Sequence, residues 1–321
     1  MPSITSEATF DLGGLAEPIR LCGYRDQNLN ALEALIPVVL RLDGDRVYVS
    51  GDRAAVVRAE RVLEAMLAAA RGGAQVTPDD VALAARSTAY PNGDGGIPPT
   101  LATTSRGREI RPKTAGQRAL VATVDANTLT FAIGPAGTGK TFLAIVMAVR
   151  ALKSRQVSRI ILSRPAVEAG EKLGFLPGDL KEKVDPYLRP LYDALQELLE
   201  EATTAKYLER GTIEVAPLAY MRGRTLGDAF VILDEAQNTT PEQLKMFLTR
   251  LGAGSKMVVN GDDTQIDLPR GQRSGLLDVE RLFEGIEDVG FVRLDETDVV
   301  RHPLVGRIVA AYDRLARERG A

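Results

Sequence analysis

Gly134-Pro135-Ala136-Gly137-Thr138-Gly139-Lys140-Thr141 fits the pattern G-x-x-x-x-G-K-[ST] with nothing missing. Just upstream, Leu129-Thr130-Phe131-Ala132-Ile133 is an apolar, β-branched run that reads as a buried strand. Just downstream, Phe142 to Leu152 reads as a buried helix. Strand, glycine-rich turn and helix are the setting in which such a run cradles phosphate. Its glycines let backbone N–H groups turn inward, and the helix N-terminus adds a positive dipole end. Lys140 can reach the β- and γ-phosphates, and the Thr141 hydroxyl can ligate Mg²⁺. Gly134, Pro135, Ala136, Gly137, Thr138, Gly139, Lys140, Thr141 and Phe142 are therefore candidate contacts for ATP.

Two further strand ends carry polar residues. Phe230-Val231-Ile232-Leu233-Asp234-Glu235 is an apolar run ending in two acids. In a P-loop fold the strand beside the first one ends near the metal, so Asp234 is expected to hold Mg²⁺, directly or through water. Glu235 would then lie close to the γ-phosphate and polarise the attacking water. Met257 to Asn260 leads into Gly261-Asp262-Asp263-Thr264-Gln265, and the Gln265 amide can bond both γ-phosphate and water. Thr240-Pro241-Glu242-Gln243 opens a helix as a capping box.

Strand candidates at 129–133, 159–163, 213–216, 229–233, 256–260 and 290–294 alternate with helical stretches. That alternation predicts an α/β domain over 112–321 with a parallel sheet covered by helices on both faces. Ahead of it, residues 1–75 read as a small α+β module. It has a short strand within 1–20, a helix at 28–35, strands at 37–42 and 47–49 around the turn Asp43-Gly44-Asp45, and a helix at 54–71. The module resembles a KH-type RNA-binding unit. It departs from that type at Gly23-Tyr24-Arg25-Asp26, where a G-x-x-G backbone clamp would stand. An interaction or assembly role is as compatible with it as RNA binding. Residues 76–111 read as a connector holding one helix near 78–86 and the Pro/Gly-rich stretch Pro91 to Pro99.

Composition narrows the classes. The chain has 321 residues, 45% of them hydrophobic, and a net charge of −3 from 40 basic and 43 acidic residues. That excludes a basic nucleic-acid coat, so any RNA contact needs a local patch. One cysteine, Cys22, and one histidine, His302, exclude a disulfide framework, a multi-cysteine or multi-histidine metal site and a histidine triad. No secretory signal is visible, and no apolar run approaches membrane-spanning length, so a cytoplasmic protein without membrane contact is expected.

Five stretches carry a more specific likeness. They are Ser163-Arg164-Pro165 through Gly178, Ala216 through Thr225 with Arg222 and Arg224, Ile232 through Asn238, Gly261 through Gln265, and Asp298-Val299-Val300-Arg301-His302. Over about residues 106–315 the chain is identified as a member of the PhoH family of P-loop ATPases, in its short branch without a PIN nuclease domain. The family resembles the motor half of superfamily 1 helicases, with a RecA-like core. The resemblance implies that Gln117 reads adenine, that Gln265 senses γ-phosphate, and that Arg164 stands where helicases touch single-stranded nucleic acid. It also implies RNA as partner, with a link to the endoribonuclease of ribosomal RNA maturation. Arg164, Arg222 and Arg224 are the candidate RNA contacts.

A single core leaves the γ-phosphate open on one side. A homo-oligomeric ring, a hexamer, is therefore expected, with Arg301 or else Arg273 supplied by a neighbour. The leading expectation is an ATP-hydrolysing, RNA-associated, helicase-like motor. A nucleotide-gated assembly module without unwinding and a P-loop kinase are the alternatives.

Overall fold

The computed structural model describes residues 5–15, 17–88, 96–165 and 180–300, together with 304–305, 307–308 and 311–312. The chain divides into two compact units, Met1–Thr100 and Leu101–Ala321.

In the first unit β1 (Thr5–Asp11) is followed by α1 (Ile19–Cys22), α2 (Gln27–Leu35), β2 (Val38–Asp43), β3 (Arg46–Asp52), α3 (Arg53–Arg71) and α4 (Pro78–Ser87). The strands form an antiparallel sheet in the order β1-β3-β2. Asp52 caps α3 by accepting from the Ala54 N–H. The helix then buries Ala59, Val62, Leu63 and Met66. The connector expected at 76–111 is not one piece. Thr77 and Asp80 form a capping box with Pro78 in the first turn, and α4 buries Val81, Ala84 and Ala85 in this unit's core. The Asn28 amide ties the helices together by donating to the Leu21 and Val76 carbonyls at 2.7 and 2.9 Å. The division falls after Thr100, so 78–87 belongs to the first unit and 101–111 to the second. Of the Pro/Gly-rich stretch, 91–95 lies outside the described residues.

The second unit opens with the short hairpin β4 (Ala102–Thr103) and β5 (Glu109–Ile110). It continues through α5 (Ala115–Ala126), β6 (Leu129–Ile133), α6 (Lys140–Lys153), β7 (Arg159–Arg164), α7 (Leu180–Leu198), α8 (Glu201–Glu209), β8 (Ile213–Pro217) and β9 (Ala229–Leu233). The remaining elements are α9 (Pro241–Leu248), β10 (Lys256–Gly261), α10 (Val279–Leu282) and β11 (Val289–Arg293). Six strands pair in parallel in the order β11-β6-β10-β9-β7-β8. Side chains alternate between two cores. Ala132, Ile160, Leu162, Ile232 and Val258 pack with α5, α6 and α7. Phe131, Ile161, Val231, Leu233 and Val259 pack with α9. This is the P-loop NTPase arrangement.

One expectation about the sheet is corrected. The strand that ends in Asp234 is not beside β6, because β10 lies between them. The order leaves β6 flanked by β10 and β11. Gly134, Asp234 and Asp262 each follow the C-terminal end of a strand, so all three converge on one edge of the sheet.

Candidate nucleotide-binding site

The loop between β6 and α6 curls as the glycine pattern requires. Gly137 and Gly139 have φ of 84° and 82°, in the left-handed region where glycine is favoured. A Cβ on Gly134 would collide with the Leu294 carbonyl oxygen. Lys140, buried by the loop it follows, donates from Nζ to the carbonyls of Gly134 at 2.6 Å and Pro135 at 2.8 Å. Burial lowers its pKa, opposed in part by the charges of Asp262, Asp234, Glu235 and Asp263. Thr138 donates to the Pro135 carbonyl at 2.9 Å and is itself fully buried. Phe142 packs against the α5–α7 core.

Thr141 Oγ1 donates to Asp234 Oδ1 at 2.6 Å, across the intervening β10. Asp234 is 3% exposed, and burial raises its pKa. The Thr141 hydroxyl, Arg164 and Lys140 oppose that rise, while Glu235 adds to it. Glu235 takes φ 55° and ψ 40°, a left-handed conformation uncommon for a residue with a side chain. Both its carboxylate oxygens are engaged. Arg164 reaches Oε1 at 3.1 Å, and Gln237 Nε2 donates to Oε2 at 2.5 Å. Gln237 Oε1 in turn accepts the Asp262 N–H at 3.0 Å. Gln237 thus joins the strand-end acids of β9 to the turn after β10, a role the spacing alone did not disclose.

Asp262 is the second residue that sequence reasoning passed over. It is 5% exposed, and its Oδ2 accepts from the Ala136 N–H of the phosphate loop at 3.1 Å. The same oxygen accepts from Gln265 Nε2 at 2.8 Å, and Oδ1 accepts from the Thr264 N–H and hydroxyl. Gln265 is therefore folded back toward its own turn. Gln117 is bonded at both ends of its amide. Its amide is 5% exposed, with Nε2 donating to the Thr138 carbonyl at 2.9 Å and Oε1 accepting from the Lys113 N–H at 2.6 Å. In this arrangement it braces the phosphate loop. The segment before Arg301 braces it too, since Val300 N–H donates to the Gly137 carbonyl at 3.0 Å. Asp298 is buried and accepts from Gly116 N–H at 2.9 Å in the first turn of α5.

Of the arginines, Arg164 turns into this site, pairing with Glu235 and lying 3.9 Å from Asp234 Oδ2. Arg224 makes a two-pronged pair with Glu214, both contacts at 2.6 Å. Arg222 is exposed, next but one to Tyr220, which is 48% exposed. Arg273 pairs with Asp278 at 2.9 Å. Arg301, His302 and the stretch 166–178 lie outside the described residues.

The donor set fits a magnesium-bound nucleotide. Thr141 and Asp234 offer one hydroxyl and one carboxylate side by side. Asn260, 1% exposed and one residue short of the Gly261 carbonyl that accepts from Gly134, has neither amide atom hydrogen-bonded. Among the described residues no cluster of three or more His, Cys, Asp or Glu could cage a metal.

The PhoH family profile, described as PhoH-like protein, matches residues 109–313. The chain belongs to the PhoH family. A PhoH-like protein of Bacillus subtilis (strain 168) is 53% identical over 301 residues, covering 93% of this chain and 94% of the relative. A PhoH-like protein of Mycobacterium tuberculosis (strain ATCC 25618 / H37Rv) is 54% identical over 301 residues, covering 92% and 85%. Protein PhoH of Escherichia coli (strain K12) is 52% identical over 192 residues, which cover 59% of this chain and 54% of that protein. The PhoH match takes in the phosphate loop, the strand-end acids and the Gly261–Gln265 turn, and it excludes the first unit.

Proposed function

We propose that this PhoH-family chain binds ATP with Mg²⁺ and hydrolyses it, and that hydrolysis serves RNA or an RNA-processing complex in the cytoplasm. The observation that carries the first half is the Thr141–Asp234 pair held beside the Gly134–Lys140 cradle. Lys140 and the loop amides would bind the phosphates, with Thr141 and Asp234 holding the ion. The ion would supply positive charge where negative charge develops on the phosphate oxygens. Glu235, released from Arg164 and Gln237, would polarise water. Gln265, swung off Asp262, would meet the γ-phosphate.

The RNA half rests on the family resemblance and on Arg222 beside exposed Tyr220, a cation and a stacking face such as single strands use. Arg164 and Arg224 would join only by leaving their carboxylates. The homo-oligomeric ring, a hexamer, belongs to the same reading, with Arg301 or Arg273 reaching the neighbour's site. Mixing Lys140→Ala with Arg301→Ala subunits should then restore some activity.

The deciding experiment measures nucleotide binding and phosphate release by the full chain, with and without single-stranded RNA. Lys140→Ala should abolish binding, and RNA should stimulate release by the parent. Slow, unstimulated release with a nucleotide-dependent change in mass would favour the assembly module. Phosphate transferred to an added metabolite would favour the kinase.

A further inference from the structure

The phosphate loop exists to surround an anion, yet one of its amides already has one. Ala136 N–H donates to Asp262 Oδ2 at 3.1 Å, across 126 residues of chain. The carboxylate is 5% exposed and uses both oxygens. Its contacts are those a latch needs. Oδ2 holds the Gln265 amide as well as the loop, and the Asp262 backbone N–H is held by Gln237, whose other end holds Glu235. We propose that Asp262 is an internal stand-in for phosphate, and that triphosphate binding must expel it from the Ala136 amide.

Expulsion changes three things together. The Ala136 N–H turns to a phosphate oxygen. Gln265 loses the carboxylate that holds it against its own turn and becomes available to the γ-phosphate side. Gln237, bonded to both the Asp262 backbone and Glu235, transmits the shift to the residue that would polarise water. Occupancy of the cradle is thereby tied to the posture of Gln265 and Glu235. Without nucleotide, both Glu235 oxygens stay engaged by Arg164 and Gln237. The latch also sets a cost on binding, because the incoming anion replaces a charge-assisted hydrogen bond rather than an empty amide.

This rests on the nucleotide-binding part of the proposal above and needs nothing of its RNA part. The test is equilibrium binding of a fluorescent, non-hydrolysable ATP analogue to the full chain, in EDTA so that no ion enters. Four variants are compared with the parent, namely Asp262→Ala, Asp262→Asn, Asp263→Asn and Lys140→Ala. Asp262→Ala should bind about three- to thirtyfold more tightly, the worth of one such hydrogen bond. Asp262→Asn, which keeps the shape and loses the charge, should fall between it and the parent, and decides the matter if the alanine variant does not fold. Asp263 pairs with Arg293 at 2.9 Å, outside the cradle. Asp263→Asn should stay within about twofold of the parent. Equal tightening by both asparagine variants would mean general charge repulsion and would overturn the latch, as would unchanged or weaker binding by folded Asp262 variants. Loss of binding in Lys140→Ala is the separate check. If that variant binds as the parent does, the nucleotide site itself is wrong.

Discussion

Glu235 stands in the left-handed region at the end of a buried strand, where a side chain costs about 1–2 kcal/mol relative to the ordinary backbone. Arg164 and Gln237 fix the carboxylate it presents. Strain retained at a charged residue beside a phosphate loop points to a functional requirement. Glu235→Gln should keep nucleotide affinity within a few-fold while slowing hydrolysis by about 10²–10⁴. A variant hydrolysing at the parent rate would remove Glu235 from the chemistry. Its neighbour Asp234 carries the opposite burden, a buried charge compensated only in part by Thr141, Arg164 and Lys140. Asp234→Asn keeps the acceptor for Thr141 and removes the charge. The nucleotide-free protein should then melt about 2–4 °C higher, roughly 1 kcal/mol, while Mg²⁺-dependent turnover is lost. A lower melting temperature would show that Arg164 already compensates the carboxylate.

At the scale of elements, the strands were legible because each is a short apolar run bounded by polar turns. The expected 129–133 and 229–233 are β6 and β9, and the other four strands of that sheet agree to within a residue at each end, whereas β3 runs three residues past the expected 47–49. Their lateral order was not legible. Any of several strands can neighbour β6, and the choice is made by packing between residues more than a hundred positions apart. The same limit hid the Ala136–Asp262 bond and the partners of Arg164, since neither leaves a trace in local spacing. The Gln117 amide could be flagged by type, but its attachment to Thr138 and Lys113 depends on where α5 lies. That placement is testable at Gly116, where a Cβ would collide with the Asp298 carboxylate. Gly116→Ala should push Asp298 off the first turn of α5 and disturb Val300, which holds the phosphate loop through Gly137. We expect a loss of about 1–3 kcal/mol in stability and weaker nucleotide binding in the same variant. Parent-like values in denaturant unfolding and nucleotide titration would refute the brace.

For the whole molecule, the first unit has a core of its own. Its buried apolar residues run from Leu12 to Ala85, with Leu21, Leu32, Leu63 and Met66 among them. A fragment of residues 1–100 should therefore melt cooperatively when expressed alone, followed by far-ultraviolet circular dichroism. A broad, non-cooperative loss of signal would show that the unit borrows stability from the rest of the chain. The second unit is ordered differently. β6 is complete at Ile133, but its two neighbours in the sheet begin at Lys256 and Val289. On a ribosome adding roughly 5–20 residues per second, the strand that carries the phosphate loop waits on the order of 6–25 s for its first partner. Through that interval the apolar strand lacks both of its sheet neighbours, a state that favours capture by chaperones or by another nascent copy. The nucleotide site therefore comes into being only near the end of synthesis, and truncated chains that stop before β10 should emerge without it.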